Sequence, residues 1–111
     1  MAITGLEVLK IWQDVLVGGN SDSLAEIITD DFVFVRTDGA SLSRDETLNW
    51  VSNTEVRISD FEVLYENNEV VFGLHTAIRS PGAPSSQIVF LARKEHGKFS
   101  YWQVRRLDIS D

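Results

Sequence analysis

Arg36 and Arg106 are the most informative charges of this chain. A guanidinium presents a planar fork that grips a carboxylate or a phosphate through two parallel hydrogen bonds. An arginine drawn out of water also needs a counter-ion, because a buried unpaired charge is strongly destabilising. That ion is either a ligand anion or an internal acid. Asp108 lies two residues from Arg106, on the same face of an extended strand, and would serve as the internal acid. It is also the weak candidate for a general base, although an adjacent arginine would hold its pKa low.

The other chemistry-bearing residues are less suggestive. His75 and His96 fall in a strand and a turn without ligand spacing, and Asp30 and Asp31 are adjacent acids with no histidine. Neither pattern suits zinc or a harder cation, so no metal and no cofactor is expected. There is no Gly-rich phosphate loop, no His-Glu-x-x-His and no Ser-His-Asp order. The absence of cysteine removes a thiolate nucleophile and any disulfide framework, which fits a cytoplasmic location. Trp12, Trp50 and Trp102 either fill a core or wall a pocket.

A net charge of -7 repels phosphate backbones and anionic membrane surfaces. Arg93, Lys94, Lys98, Arg105 and Arg106 do make the C-terminal hairpin basic, but the flanking aromatics Phe99 and Tyr101 only loosely match a stacking platform. No nucleic-acid partner is expected. No membrane partner is expected either, because no run approaches the roughly 18 apolar residues of a membrane span. The 111 residues fit one domain, 1–111, of ordinary globular composition, 43% hydrophobic and 24% charged.

The elements that must position these residues follow from periodicity. Thr4 to Glu7, Ser23 to Glu26 and Ser43 to Glu46 repeat the spacing of a capping box, so three helices are expected. The first covers about 5–17 with a stripe of Val8, Leu9, Trp12, Val15 and Leu16, the second about 22–28, and the third about 44–52. A strand over 31–36 separates the second from the third. Strands then follow over 56–65, 69–79, 87–94 and 99–109, with a Pro/Gly/Ser loop at 80–86 and a hairpin turn at 95–98. Val56 and Ile58 share one phase; Phe61, Val63 and Tyr65 take the other. That flip at Ser59-Asp60 predicts a β-bulge, which bends a sheet. The strands over 69–79 and 87–94 are apolar on both faces, so both faces must be covered.

This order of elements, with Asp30-Asp31-Phe32-Val33-Phe34-Val35, Asp38-Gly39, Leu42-Ser43-Arg44 and a closing Gly97-Lys98 … Trp102-Gln103-Val104-Arg105-Arg106-Leu107-Asp108-Ile109-Ser110, resembles the SnoaL-like domains of the nuclear transport factor 2-like superfamily. The resemblance implies an α+β fold: a strongly curved sheet wrapped around N-terminal helices, a cone with an internal pocket. Its register implies a pocket lined by Trp12, Phe32, Phe34, Arg36, Trp50, Phe72, Leu74, Val89, Leu91, Trp102, Val104 and Arg106. It leaves His75, Ala77, Ile88, Phe90, Ala92 and Tyr101 for an outer face that would form a homodimer interface. Ketosteroid isomerase-like members carry a tyrosine and two acids where this chain has Trp12, Arg36 and Val89, so their carboxylate base has no counterpart here. Two histidines frequent on the closing strand are Arg106 and Asp108.

The expected function is therefore binding of a small apolar ligand with an acidic group. The alternatives are an isomerase, dehydratase or cyclase using Asp108 with Arg36 and Arg106, and a homodimeric protein-association domain.

Overall fold

The computed structural model describes residues Thr4 to Leu107. Helix α1 (Gly5–Gly18) begins at the expected capping box: Thr4 Oγ1 accepts the Glu7 N–H at 3.2 Å and the Glu7 carboxylate accepts the Thr4 N–H at 3.0 Å. Gly19, at φ 72°, ends it by donating to the Val15 carbonyl at 2.8 Å. Helix α3 (Arg44–Asn53) opens the same way on Ser43 and Glu46. The third spacing, Ser23 to Glu26, forms no box. Helix α2 is a single turn, Asp22–Ala25, with Ser21 at its start and Glu26 already at its end, because the chain turns into a strand at Ile28.

Six strands follow: β1 (Ile28–Val35), β2 (Ser41–Leu42), β3 (Arg57–Glu66), β4 (Val70–Ile78), β5 (Ser85–Glu95) and β6 (Lys98–Arg106). They form one open sheet in the order β2-β1-β6-β5-β4-β3, parallel between β1 and β6 and antiparallel elsewhere. The stripe of α1 (Val8, Leu9, Trp12, Val15, Leu16) is buried against its concave face, together with Leu24, Phe32, Val51, Val71, Phe90 and Phe99. The edge strand β3 does not present a bare edge, since α1 lies along it. Gln13 Nε2 donates to the Ile58 carbonyl at 3.0 Å, and Glu66 Oε2 accepts the Gly5 N–H at 2.8 Å. The same oxygen is 2.7 Å from Lys94 Nζ on β5.

Bulges shape the sheet. The expected one is present: the β3–β4 register gains a residue between Ser59 and Glu62, with Asp60 at φ 56°. A second shift lies between Val63 and Tyr65, leaving Leu64 over and Tyr65 56% exposed instead of in phase with Phe61 and Val63. A third sits beside the His96-Gly97 turn, whose two central residues both have positive φ as a type I′ hairpin requires. There Lys94 pairs with Phe99 but Arg93 with Tyr101, so Ser100 is the extra residue.

That third bulge corrects the sequence reading. Beyond it Ala92 pairs with Trp102, Phe90 with Val104 and Ile88 with Arg106, and paired residues share a face. The inward set on β5 and β4 is therefore Ile88, Phe90, Ala92, His75 and Ala77, which were expected at a dimer interface. Phe72, Leu74, Val89 and Leu91, expected in the pocket, lie on the convex face. Tyr101 is on that convex face, as expected.

Candidate functional site

Between α1, α3 and the concave sheet lies a cavity of about 670 Å³, open to solvent. Its aromatic lining is joined ring to ring, with Phe90 buried behind it. Trp12 of α1 packs on Phe34 of β1 at 5.2 Å and on Trp102 of β6 at 5.6 Å. Phe34 continues to Trp50 of α3 at 5.4 Å. Trp102 stacks on Phe90 at 5.1 Å and 6° between planes, and Phe90 meets His75 of β4 at 5.9 Å. Ile58, Ile88 and Val104 supply aliphatic surface.

Charge gathers at the rim. Arg36, Arg79 and Arg106 border the cavity, with Asp38 and Glu55 as the acids. Arg36 follows β1 directly, and its backbone closes the turn to β2: its N–H donates to the Ala40 carbonyl and its carbonyl accepts the Gly39 N–H, both at 2.9 Å. This turn sets Asp38 beside it, with Arg36 Nη2 donating to Asp38 Oδ2 at 2.7 Å. The Ala40 N–H, 3.0 Å from Asp38 Oδ1, and then the guanidinium hold the Asp38 carboxyl below its usual range. Among the described residues, Arg79 and Arg106 have no carboxylate partner. Trp12 Nε1 and Arg36 Nε are buried donors without an acceptor there.

His75 is the titratable group of the wall, 4% exposed and flanked by Phe61 and Phe90. Its Nδ1 stands 3.2 Å from the Thr76 carbonyl, which can only accept, so Nδ1 carries the proton and Nε2 keeps the lone pair. Burial pushes its pKa below the ordinary histidine value, against a smaller opposing effect of that hydrogen bond. The ring is neutral at pH 7.

The same architecture recurs in solved structures. A protein from Sphaerobacter thermophilus matches with a TM-score of 0.79 at 10% identity, over 97% of this chain and 100% of its own. A nuclear transport factor 2-like protein of unknown function from Cytophaga hutchinsonii matches at 0.77 and 13% identity, over 96% and 93%. The fold is that of the nuclear transport factor 2-like proteins. A Catenulispora acidiphila protein with a ketosteroid isomerase-like fold, solved in complex with trimethylamine, matches at 0.68 and 15% identity, over 91% and 85%. No protein-family model matches the sequence, and no curated protein matches it.

Within the nuclear transport factor 2-like fold, Trp12, Phe34, Arg36, Trp50, Trp102, Val104 and Arg106 border the cavity. Phe32 is buried one pair of residues deeper along β1, in the core and away from the cavity. Phe72, Leu74, Val89 and Leu91 are excluded by the sheet itself. Asp108 lies outside the described residues. Sequence reasoning missed Arg79 and Glu55, and gave His75 and Ile88 to the wrong face. Arg79 follows Ala77 by two, the period of a strand, so it was lost with the same reversal of faces. Among the described residues no group of three or more His, Cys, Asp or Glu could hold a metal, and no helix is long and apolar enough to cross a membrane.

Proposed function

We propose that the cavity binds a small organic acid, its apolar body against the aromatic wall and its carboxylate or phosphate at the arginine rim. One observation carries this reading: three guanidiniums stand at the mouth of an aromatic cavity, and only Arg36 has a carboxylate partner among the described residues. An apolar wall with a few convergent polar groups is the usual make-up of a small-molecule site. A protein of this fold has been solved in complex with trimethylamine. Here three rim cations against two rim acids, one of them already committed to Arg36, favour an anion.

All three tryptophans of the chain border the cavity, so their emission reports its occupancy. Decanoate should shift that emission and raise the melting temperature, whereas decanamide at the same concentration should do neither. Arg106→Ala should weaken decanoate binding by about tenfold, the value of one charge-assisted contact near 1.4 kcal/mol. No response to decanoate or to any member of a panel of aromatic and fatty acids would reject the reading.

The chain is also proposed to pair with itself. The inward-facing residues cannot serve, and the convex face is the surface left for it: Phe72 is 38% exposed there, beside Leu74, Val89 and Leu91. A contiguous apolar patch in the middle of a sheet is unusual on a monomer.

A further inference from the structure

We infer that His75 selects the ligand: its Nε2 accepts a hydrogen bond from a phenolic hydroxyl at the end of the ligand remote from the arginines, so the cavity takes a hydroxyphenyl acid. This rests on the acid-binding reading above and supplies the ligand's second polar group. The imidazole is held in one orientation. Phe61 meets it edge-on at 6.3 Å, Phe90 packs on it at 5.9 Å, and Nδ1 is taken up by the Thr76 carbonyl at 3.2 Å. Nε2 has no partner among the described residues, yet it is not occluded as Trp12 Nε1 and Arg36 Nε are, so it opens to the cavity that His75 lines. A ligand that covers this nitrogen must bring a donor of its own or leave a lone pair buried and unpaired, which weakens binding.

The sheet register fixes where that donor must sit. Ile88 pairs with His75 on one side and with Arg106 on the other, so the three form one inward row. Neighbouring strands are about 4.8 Å apart, which sets Arg106 and His75 roughly 10 Å apart at the backbone with Ile88 between them. Ala77, Ser86 and Val104 border this row in the cavity and are small or aliphatic, so the strip is smooth. A ring laid on Ile88 with its acid arm toward Arg106 carries its para position toward His75. The donor there is neutral. An ammonium group would be repelled by Arg36, Arg79 and Arg106 and would lose its hydration against Phe61 and Phe90. A phenol brings a ring for the aromatic lining and, like tyrosine, keeps its proton at pH 7.

Three acids of one shape test this by titration calorimetry at pH 7: para-hydroxyphenylpropanoate, phenylpropanoate and para-methoxyphenylpropanoate. The native chain should bind the hydroxy acid about fivefold tighter than phenylpropanoate, the value of one neutral hydrogen bond, although the hydroxy acid is the less apolar of the two. The methoxy acid keeps the oxygen but not its proton and should bind no better than phenylpropanoate. His75→Leu should erase the difference between the hydroxy acid and phenylpropanoate. In the native chain, the hydroxy acid should also move the His75 Nε2 resonance in nitrogen-detected spectra, and phenylpropanoate should not; the ligand comparison and this signal stand even where the leucine variant fails to fold. Binding of none of the three acids overturns the acid-binding reading and this inference with it. Equal binding of all three by the native chain overturns the phenol preference alone. A preference shared by the methoxy acid, or one that survives His75→Leu, overturns the role of His75 as the acceptor.

Discussion

Replacing Gly73 by alanine adds one methyl group at the point where the bent sheet is tightest. Gly73 pairs with Val63 just past the first bulge of β3, and its inward side faces Phe90. A Cβ there would fall well inside contact with the Glu62 carbonyl oxygen, and 2.8 and 2.9 Å from two carbons of the Phe90 ring. The ring has little room to retreat, being stacked on Trp102, which is itself packed on Trp12 and Phe99. The carbonyl belongs to backbone and cannot rotate away. Overpacking of this kind costs between about 1 and 3 kcal/mol, and a backbone obstacle puts Gly73→Ala at about 3. The loss of unfolded-state freedom that alanine brings works the other way, by roughly 0.4–1 kcal/mol, and does not reverse the sign. Urea unfolding should show the loss directly, and the melting temperature should fall by roughly 10 °C. Because the carbonyl is the larger obstacle, the alanine should cost nearly as much in a Phe90→Leu background. A cost below about 1 kcal/mol in the native background, or its disappearance with Phe90→Leu, would refute the close-approach argument.

Glu66→Gln should destabilise by about 2 kcal/mol, because it leaves Lys94, whose side chain is only 6% exposed, without its carboxylate, and weakens the acceptor for the Gly5 N–H; pairing it with Lys94→Met should recover part of the loss in urea unfolding. His75, buried and neutral, has a folded pKa below its unfolded value, so the stability it contributes is full above pH 6.5 and is lost as pH falls through the folded pKa. Glu7, Glu46 and Asp38 also have lowered values, but from 4.5, 4.5 and 3.8, so their losses come at lower pH. His75→Gln should therefore flatten the stability profile just below pH 6.5 and leave the more acidic limb unchanged; an unaltered profile would show that another group titrates there.

The sequence revealed most where one local rule decided the outcome. Thr4 with Glu7 and Ser43 with Glu46 each precede a stripe that needs covering, and both helices start there. Ser23 with Glu26 has the same spacing, but Ile28 must already pair with Phe99, and the strand takes the residues the helix would need. The bulge at Asp60 was legible because apolar phase flips across it. The bulge at Ser100 was not, because the strands it flips are apolar on both faces and either phase looks acceptable. A hairpin without that extra residue would pair Ala92 with Tyr101 and set Leu91 beside Trp102, which is the grouping the sequence reading adopted. The cavity residues on α1, β1, α3 and β6 do not depend on that bulge; those on β4 and β5 do.

The pairing of β1 with β6 has a consequence for how the chain matures. These are the outermost partners in sequence among the long strands, and they lie side by side inside the sheet, between β2 and β5. Until Lys98–Arg106 has been synthesised, β1 has only the two residues of β2 beside it, and Trp12 lacks the ring of Trp102. Hairpins β3–β4 and β4–β5 can zip early from local contacts, but the concave wall closes only when the last strand slides between β1 and β5. Such long-range closure slows folding. A nascent chain stalled before β6 would thus expose the aromatic surface that chaperones recognise, with no cavity yet in existence.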